Sequence, residues 1–307
     1  MARITSEQVG RRVSVRRRTA SGAATDVVGD LIEWTPETLT VRDRDDVEHQ
    51  VPRRAVVAAR IVRAAPVRPA VAELERVAAR GWPATETALL GDWLLRAAGG
   101  FTGRANTVLA VGDPGMPLAS ATAAVRAWYA ERGLPARAAV VLPSPEDDAF
   151  AAAGWPPSQA VLVQTAPLEP VAGAAPVDDR VQVSRSPSAG WLARYTARGQ
   201  VDDVARRVLT GGGTVGFAQA GSEPAAIGRG VVVDDWLGIA AVEVAPDRRR
   251  QGLATAVTRA LAHWGAEHGA SRIYLQVQTD NTAARELYAA LGFRTHHRYR
   301  YRTAPPA

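Results

Sequence analysis

One segment of the sequence, residues 236–264, constrains the fold more than any other. An apolar run over residues 238–245 ends at Pro246, and a short polar turn follows. Beyond the turn, apolar side chains recur at helical spacing at Leu253, Ala256, Val257, Ala260, Leu261 and Trp264. The pattern predicts a buried strand, a tight turn and an amphipathic helix, in that order.

The turn between this strand and helix predicts a binding site for a diphosphate. A helix N-terminus presents unpaired backbone N–H groups, and the helix dipole favours negative charge there. Gly252 and the small Ala254 let a phosphate approach the main chain closely. Charge-assisted hydrogen bonds are available from Arg248, Arg249 and Arg250. Such a cradle needs no lysine.

Composition excludes several classes of chemistry. The chain of 307 residues contains no cysteine and, by inspection, no lysine. A P-loop, a Schiff-base lysine, a catalytic thiol, a disulfide and a cysteine-ligated zinc site are therefore excluded. The apolar share of 47% is sufficient for a substantial core, and the net charge of +6 favours anionic ligands.

The turn and its surroundings resemble the GNAT acetyltransferase superfamily. Arg249-x-x-Gly252-x-Ala254 matches that family's (Arg/Gln)-x-x-Gly-x-(Gly/Ala) acyl-CoA signature. Residues 275–293 resemble the family's second half, which has a splayed strand, an asparagine, a helix with a tyrosine and a Gly-Phe pair. The resemblance covers roughly residues 181–302 and implies an α/β (α+β) GNAT fold, a mixed central sheet flanked by helices. It also implies acetyl-CoA as co-substrate, with no metal.

The resemblance implies cofactor contacts for the matching residues. Val242, Glu243 and Val244 would lie beside the pantetheine arm, and Asn281 would also contact the cofactor. The diphosphate would be held by the loop residues Arg249, Arg250, Gln251, Gly252, Leu253, Ala254 and Thr255.

Two residues are candidate catalysts. The resemblance implies that Tyr288 donates a proton to the departing thiolate, although its helical spacing would equally let it pack on a buried face. Glu243 is the nearest carboxylate on the strand, because Gly238 stands near the place where many relatives carry a glutamate. Glu243 could be the general base, an exposed or ion-paired strand residue, or unnecessary if the amine arrives neutral.

Two Pro/Ala-rich stretches divide the chain into three parts. Residues 1–63 contain five short strand-like runs, which predict a small closed β-barrel of SH3-like type. After a first linker at residues 64–69, residues 70–165 predict a degenerate GNAT-like domain. Residues 166–180 predict a second linker, and residues 181–302 the catalytic acyl-CoA-binding domain.

The middle and last parts share a weak internal repeat. A helix ending at residues 128–133 precedes a strand at residues 138–142, and a helix ending at residues 264–269 precedes a strand at residues 273–277. In both parts a second helix, a Gly-aromatic pair and another strand follow. The middle part has an acidic residue and two prolines at residues 112–117, where a phosphate would need free N–H groups, so we expect no cofactor there.

A loop in the middle part is a candidate acceptor contact. Arg104 and Asn106 could hold a carboxylate or an amide of the acceptor, or could satisfy the backbone of their own loop. The adjacent His296 and His297 have no third ligand at metal spacing, and neighbours on a strand point to opposite faces, so we expect a surface pair and no metal site.

Together these features predict a cytoplasmic N-acetyltransferase that moves an acetyl group directly from acetyl-CoA to a primary amine of a small molecule or a protein. No signal-peptide core or membrane-length apolar run occurs, so we expect no membrane partner. One alternative is a catalytically vestigial acyl-CoA sensor whose N-terminal barrel contacts a protein partner. Another is a nucleic-acid-binding protein, which the modest, dispersed charge makes less expected.

Overall fold

A computed structural model describes residues 4–19, 22–43, 47–62, 69–173, 178–195 and 201–306. The chain divides into two compact units, one of Met1–Pro66 with Pro143–Pro145, the other of Val67–Leu142 with Glu146–Ala307. The predicted linker at residues 64–69 lies outside the described residues, except for Pro69.

The first unit contains one five-stranded antiparallel sheet. Its strands are β1 (Arg12–Arg18), β2 (Ala24–Trp34), β3 (Thr38–Arg42), β4 (Glu48–Pro52) and β5 (Val56–Ile61). Alternating apolar side chains such as Val13 and Val15 are fully buried, as a half-buried strand requires. The five predicted strands are confirmed. Their order, β4-β3-β2-β1-β5, includes no ladder between β4 and β5 among the described residues, so hydrogen bonds do not close the barrel there.

The rest of the chain contains both helices and strands. The helices are α1 (Pro69–Gly81), α2 (Leu118–Ala130), α3 (Pro145–Ala152), α4 (Leu168–Gly173), α5 (Ala189–Arg194), α6 (Asp203–Thr210), α7 (Leu253–Glu267) and α8 (Thr282–Ala290). The strands are β6 (Glu86–Leu90), β7 (Trp93–Ala97), β8 (Val108–Leu109), β9 (Arg137–Leu142), β10 (Val161–Pro167), β11 (Val181–Ser184), β12 (Thr214–Ala220), β13 (Ala226–Val233), β14 (Trp236–Val244), β15 (Arg272–Gln278) and β16 (Arg294–Thr303).

These eleven strands form one sheet in the order β11-β12-β13-β14-β15-β10-β16-β9-β8-β7-β6. We call residues 69–167 the first half and residues 178–303 the second half. Each half has one parallel pair, β8 with β9 and β14 with β15, and its other strand pairs are antiparallel. The internal repeat predicted from the sequence therefore corresponds to two halves with matching strand order.

The last strand of each half lies in the other half of the sheet. β10 pairs with β15 rather than with β9, and β16 pairs with β9 rather than with β15. The two exchanged strands pair with each other at the centre, from Val161 opposite Tyr299 to Thr165 opposite Arg294. The halves are thus joined by three antiparallel ladders.

Two large apolar clusters cover the two faces of the second half. Under α7, one cluster joins Val257 and Leu261 to residues of β12–β15 such as Leu237 and Leu275. On the other face, Leu74 and Trp82 join residues of α5, α6 and β13. The first half therefore contributes α1, which contains Leu74, to the core of the second half.

The predicted linker at residues 166–180 is wrong for residues 166–173, which end β10 and form α4. Ala166, Leu168 and Val171 are buried in the cluster under α7, and that burial stabilises a segment whose composition resembles a linker. Its prolines are compatible with this structure because Pro167 ends the strand and Pro170 lies in the first turn of the helix, where an N–H is not needed. Residues 174–177 lie outside the described residues.

A buried leucine on an exchanged strand should contribute far more stability than an exposed leucine on the edge strand. Leu162 on β10 is 1% exposed, whereas Leu89 on β6 is 73% exposed. We expect Leu162→Ala to lower the free energy of unfolding by about 2–5 kcal/mol, and Leu89→Ala to change it by about 0.5 kcal/mol or less. Urea unfolding of the full chain, followed by tryptophan fluorescence, measures both. Equal effects would contradict the buried, central position of β10.

Candidate active site

β14 and β15 separate part-way along their length. Their parallel pairing runs from Trp236 opposite Arg272 to Ile239 opposite Leu275 and ends there. On the other edge, the pairing of β14 with β13 shifts register between Ile227 and Arg229, and Ala241 has a φ of +54°. A non-glycine residue at positive φ inside a strand marks a bulge that bends the strand. The bend opens a gap between the carboxyl ends of β14 and β15, as the predicted splayed strand requires.

Backbone geometry at the end of β14 produces a cluster of free N–H groups. A 3₁₀ turn at Pro246–Arg248 leads to Arg250 with φ +62° and to Gly252, the N-cap of α7, with φ +77°. No side chain caps the helix, so the N–H groups of its first turn have no partner among the described residues. Alternating left-handed residues before a helix form an anion-binding concavity. The positive φ is what favours glycine at position 252. Crowding is not the reason, because a Cβ there would meet nothing within 4 Å.

The sequence-predicted cofactor residues lie together along this strand end and helix start. Val242 and Val244 pack their side chains against the core under α7, and both lie beyond the end of the pairing with β15. Leu253 is buried and can offer only its N–H, whereas Ala254 and Thr255 are half-buried. The exposed positions are Arg248, Arg249, Arg250, Gln251 and Gly252.

Asn281 lies at the N-terminus of α8 and is exposed. Its Oδ1 accepts a hydrogen bond from the N–H of Ala284 at 3.2 Å, so it caps the helix. Its side-chain amide N–H groups make no hydrogen bond to the described residues. The position thus combines a structural role, which the motif did not reveal, with donors still available to a ligand.

Tyr288 on α8 is 8% exposed and belongs to the same cluster as α7, β14 and β15. Its ring packs edge-on against Phe293, with ring centroids 5.6 Å apart. Burial raises the pKa of Tyr288 to about 12, and its hydroxyl has no hydrogen-bond partner among the described residues. Both sequence interpretations, packing and proton donation, are compatible with this position, because the ring is packed while the hydroxyl stays unpartnered and protonated.

Glu243 lies on β14 opposite Ile227 and is half-buried. Gly238 stands near the place where many relatives carry a glutamate, and it lies opposite Tyr274 on β15. A Cβ at Gly238 would be 2.6 Å from Cζ of Tyr274 and 2.9 Å from Cε1. The Tyr274 ring therefore occupies the space that a side chain at Gly238 would need.

The sequence-predicted Arg104 lies at the gap between β14 and β15. Its Nη1 donates a hydrogen bond to Oε1 of Gln276 at 3.0 Å, and Gln276 is the first residue of β15 beyond the pairing with β14. The guanidinium carbon lies 4.4 Å from the centroid of the Trp82 ring. A cavity of about 20 Å³ at this point is lined by Arg104, Trp82, Gln276 and residues of β13 and β14.

Asn106, in contrast, is fully engaged within its own loop. Its Oδ1 accepts from the N–H groups of Ala98 and Gly100, and its Nδ2 donates to the carbonyls of Phe101 and Thr102. It is buried at 6% exposure. The expected contact of Asn106 with an acceptor is therefore not supported. The residue shapes the loop that carries Arg104, which is the alternative interpretation of this loop.

Arg229, which was not among the residues predicted from the sequence, lines the same cavity. It is fully buried on β13 and donates to the carbonyls of Leu209, Gly81 and Gly211. Burial, the largest cause, lowers its pKa to about 9, with a smaller contribution from the nearby charge of Arg104. A lone arginine within the apolar run of residues 226–233 was the signal that could have identified it.

In the first half, the loop that corresponds to the cradle is filled by the chain's own carboxylates. Oδ2 of Asp92 accepts from the N–H of Asp113, and Oδ1 of Asp113 accepts from the N–H of Gly115. These bonds occupy N–H groups that a phosphate would otherwise use. Two N–H groups of this loop, those of Asp113 and Gly115, are therefore already paired within the chain.

The expected surface position of the histidine pair is wrong for His297. It is 8% exposed, and its Nε2 lies 2.8 Å from Oε1 of Glu75 on α1. A register shift in the pairing of β10 with β16 brings Nδ1 of His296 within 2.8 Å of Nδ1 of His297. Within the described residues, no group of three metal-ligating side chains is present, and no helix is long and apolar enough to span a membrane.

Comparison with known proteins matches almost the whole chain. Residues 69–302 match the family model described as "Probable histone acetyltransferase Rv0428c C-terminal", and residues 7–60 match "Rv0428c N-terminal Sm-like domain". The chain is 34% identical over 310 aligned positions to the "Probable histone acetyltransferase Rv0428c" of Mycobacterium tuberculosis (strain ATCC 25618 / H37Rv), with 95% of this chain and 94% of the relative covered. The chain belongs to the Rv0428c family of GNAT N-acetyltransferases.

One further relative and one solved structure are also similar to the chain. The "Uncharacterized N-acetyltransferase YobR" of Bacillus subtilis (strain 168) is 29% identical over 246 positions, which cover 76% of this chain and 98% of the relative. The solved structure of a "GCN5-related N-acetyltransferase from Kribbella flavida" aligns with a TM-score of 0.59 at 16% identity, covering 77% of this chain and 96% of that one. The likeness to the solved structure shows the fold alone.

The family comparison corrects the expected type of the N-terminal domain. A small five-stranded β-domain is present, but the matching family model describes it as Sm-like rather than SH3-like. Both types contain short, strongly bent antiparallel strands of similar length, so strand spacing alone did not distinguish them.

A side chain at position 238 should destabilise this acetyltransferase. We expect Gly238→Ala to lower the free energy of unfolding by about 1–3 kcal/mol, because the added Cβ overlaps the buried Tyr274 ring. Gly173→Ala is the matched control, since the nearest atom to its Cβ would be 3.8 Å away. Urea unfolding midpoints compare the two variants. An unchanged unfolding midpoint in Gly238→Ala would show that Tyr274 does not fill this space.

Proposed function

We propose that the protein transfers the acetyl group of acetyl-CoA directly to a primary amine, with acetyl-CoA and the acceptor bound together and with no covalent enzyme intermediate. The observation that carries the proposal is the uncapped N-terminus of α7 beside the gap between β14 and β15. This arrangement would place a diphosphate site and an extended slot for the rest of the cofactor next to each other.

The residues present fit a coenzyme A thioester. Free N–H groups of residues 251–255 would bind the diphosphate, and the exposed Arg249 and Arg250 would add charge-assisted hydrogen bonds. Main-chain groups of Val242, Glu243 and Val244 face the gap after the β14–β15 ladder ends, and would pair with the amide-bearing arm. Asn281 would contribute its unused amide N–H groups.

Acetyl transfer requires two proton movements, because the acceptor amine loses one proton and the departing sulfur gains one. A neutral amine attacks the thioester carbonyl, a C–N bond forms while the C–S bond breaks, the amine nitrogen loses a proton and the sulfur accepts one. Tyr288 is the proposed donor to sulfur, because its raised pKa keeps the phenol protonated and its hydroxyl has no competing acceptor. Glu243 is the proposed acceptor of the amine proton.

The acceptor is proposed to be a primary amine of a small molecule or a protein. The Mycobacterium tuberculosis relative is named for histone acetylation, and a protein amine is therefore one member of this class. Arg104 lies where an acceptor would enter, at the gap between β14 and β15.

The proposal assigns different tasks to the parts of the chain. Residues 181–302 would carry cofactor binding and catalysis, and residues 70–165 would form a degenerate partner half whose cradle is occupied by Asp92 and Asp113. The Sm-like domain would be available to a protein partner.

Replacing the hydroxyl of Tyr288 tests the proposed acid. We expect Tyr288→Phe to lower kcat by about 100-fold or more, with unchanged CoA affinity and unfolding midpoint, since the ring and its packing remain. Thiol release from acetyl-CoA over a panel of primary amines measures turnover. Tyr129→Phe should behave in the opposite way, because its hydroxyl donates to the carbonyl of Arg96 in the first half: stability falls while turnover stays. Full activity of Tyr288→Phe would exclude the acid role.

The proposed base is tested by the pH dependence of the reaction. Glu243→Gln keeps the size of the side chain and removes its charge. We expect kcat/KM to fall and to continue rising with pH, because only acceptor molecules that are already neutral would then react. Rates measured between pH 6 and about 10 cover this range. If the profile of Glu243→Gln matches that of the unaltered enzyme, Glu243 is not the base.

A further inference from the structure

We infer that the acceptor carries a carboxylate close to its reacting amine, and that Arg104 binds this carboxylate at the gap between β14 and β15. The inference rests on the proposed acetyl transfer and narrows its acceptor to anionic amines, of which an amino acid is the simplest example.

Two guanidinium groups lie beside one tryptophan at this point. The guanidinium carbon of Arg104 is 4.4 Å from the centroid of the Trp82 ring, and that of Arg229 is 4.9 Å from it. No ion pair joins either arginine to a carboxylate in the described residues. The buried carboxylate of Glu75 on α1 is hydrogen-bonded to His297 instead.

Arg229 is a buried charge with no counter-ion in the part of the chain that the structure describes. Carbonyl groups satisfy three of its N–H groups but do not neutralise its charge. A buried cation that lacks an anionic partner is costly, and proteins rarely keep one without a use for it. Its pKa of about 9 leaves it charged at neutral pH, and repulsion from Arg104 is one cause of the lowering. An anion in the cavity that both arginines line would reduce both costs.

Arg104 is the member of the pair that an acceptor can reach. It is half-buried, and Gln276 occupies only Nη1 of the guanidinium, so further N–H groups remain for a carboxylate. The cavity that both arginines line is also lined by Gly238, Ile239 and Ala240, where β14 begins to separate from β15. An anion at Arg104 would therefore place the rest of the molecule at the gap.

The same charges disfavour a lysine within a basic peptide. Such a chain brings several cations to a site that already holds two unneutralised guanidinium groups, and like charges in a poorly solvated site repel strongly. A carboxylate-bearing amine gains attraction at the same place. The charge of the site therefore favours a carboxylate-bearing amine over a lysine in a basic peptide, and both are primary amines that the proposed function allows.

A binding experiment with product analogues tests the inference without requiring turnover. The full-length protein, saturated with CoA, is titrated calorimetrically with N-acetylglycine and with its uncharged carboxamide, N-acetylglycinamide, at millimolar concentrations. We expect N-acetylglycine to bind roughly tenfold more tightly or better, as a charge-assisted hydrogen bond predicts. Equal affinities, tighter binding of the carboxamide, or no binding of N-acetylglycine would each overturn the inference.

Three variants identify the arginine responsible. Arg104→Gln should abolish the preference for the carboxylate. Arg104→Lys should restore part of it, because lysine keeps the positive charge. This result would show that Arg104→Gln acts through loss of charge and not through loss of fold. Arg126→Gln is the matched control: Arg126 also lies over a tryptophan, 5.7 Å from the centroid of Trp155, but it does not line the cavity that Arg104 lines. A preference that survives in Arg104→Gln, or is lost in Arg126→Gln, contradicts the assignment.

Failure of the proposed function gives a different result. If no amine causes thiol release while the carboxylate preference persists, acetyl transfer is wrong and the anion site stands. If Arg104→Gln lowers turnover equally for glycine and for glycinamide as acceptors, Arg104 acts on the reacting atoms rather than on an acceptor carboxylate, and the inference fails.

Discussion

The hydrogen-bond ladders of the exchanged strands β10 and β16 are the interaction on which the rest of this acetyltransferase depends. Through the exchange, β9 and β15 each pair with a strand from the other half, so neither keeps an open edge, which is a liability for any sheet. With it, eleven strands form one sheet, and the first half contributes helix α1 and the loop of Arg104 to the second half. The hydrogen bond from Arg104 to Gln276 joins the two halves across 172 residues of sequence.

The proposed cofactor site uses the main chain far more than side chains. A bulge at Ala241 bends β14 away from β15, and left-handed residues at Arg250 and Gly252 turn the chain into α7 with its first N–H groups free. Backbone amides and a helix dipole bind a diphosphate without lysine. The absence of lysine from the sequence therefore sets no limit on this chemistry. In the corresponding loop of the first half, the carboxylates of Asp92 and Asp113 accept hydrogen bonds from the N–H groups of Asp113 and Gly115.

Charge and burial divide the site into two regions. Tyr288 is surrounded by apolar side chains, which keep its phenol protonated, whereas Arg104 and Arg229 concentrate positive charge on the opposite side of the sheet. The chain tolerates the cost of Arg229 because three carbonyls and the Trp82 ring surround it. On the proposed function, this separation places proton donation and acceptor recognition on different faces.

The sequence by itself determined what depends on neighbours along the chain. The strand, turn and amphipathic helix of residues 238–264 could be predicted because their periodicity and the glycine signature act within a few residues. Only the tertiary structure decided that β10 and β16 change places, since either half offers each strand an equivalent edge. It also decided that Tyr274 fills the space beside Gly238, that His297 is buried against Glu75, and that Arg104 and Arg229 lie beside one tryptophan. These features arise from packing between segments far apart in sequence, and local propensity carries no information about such contacts.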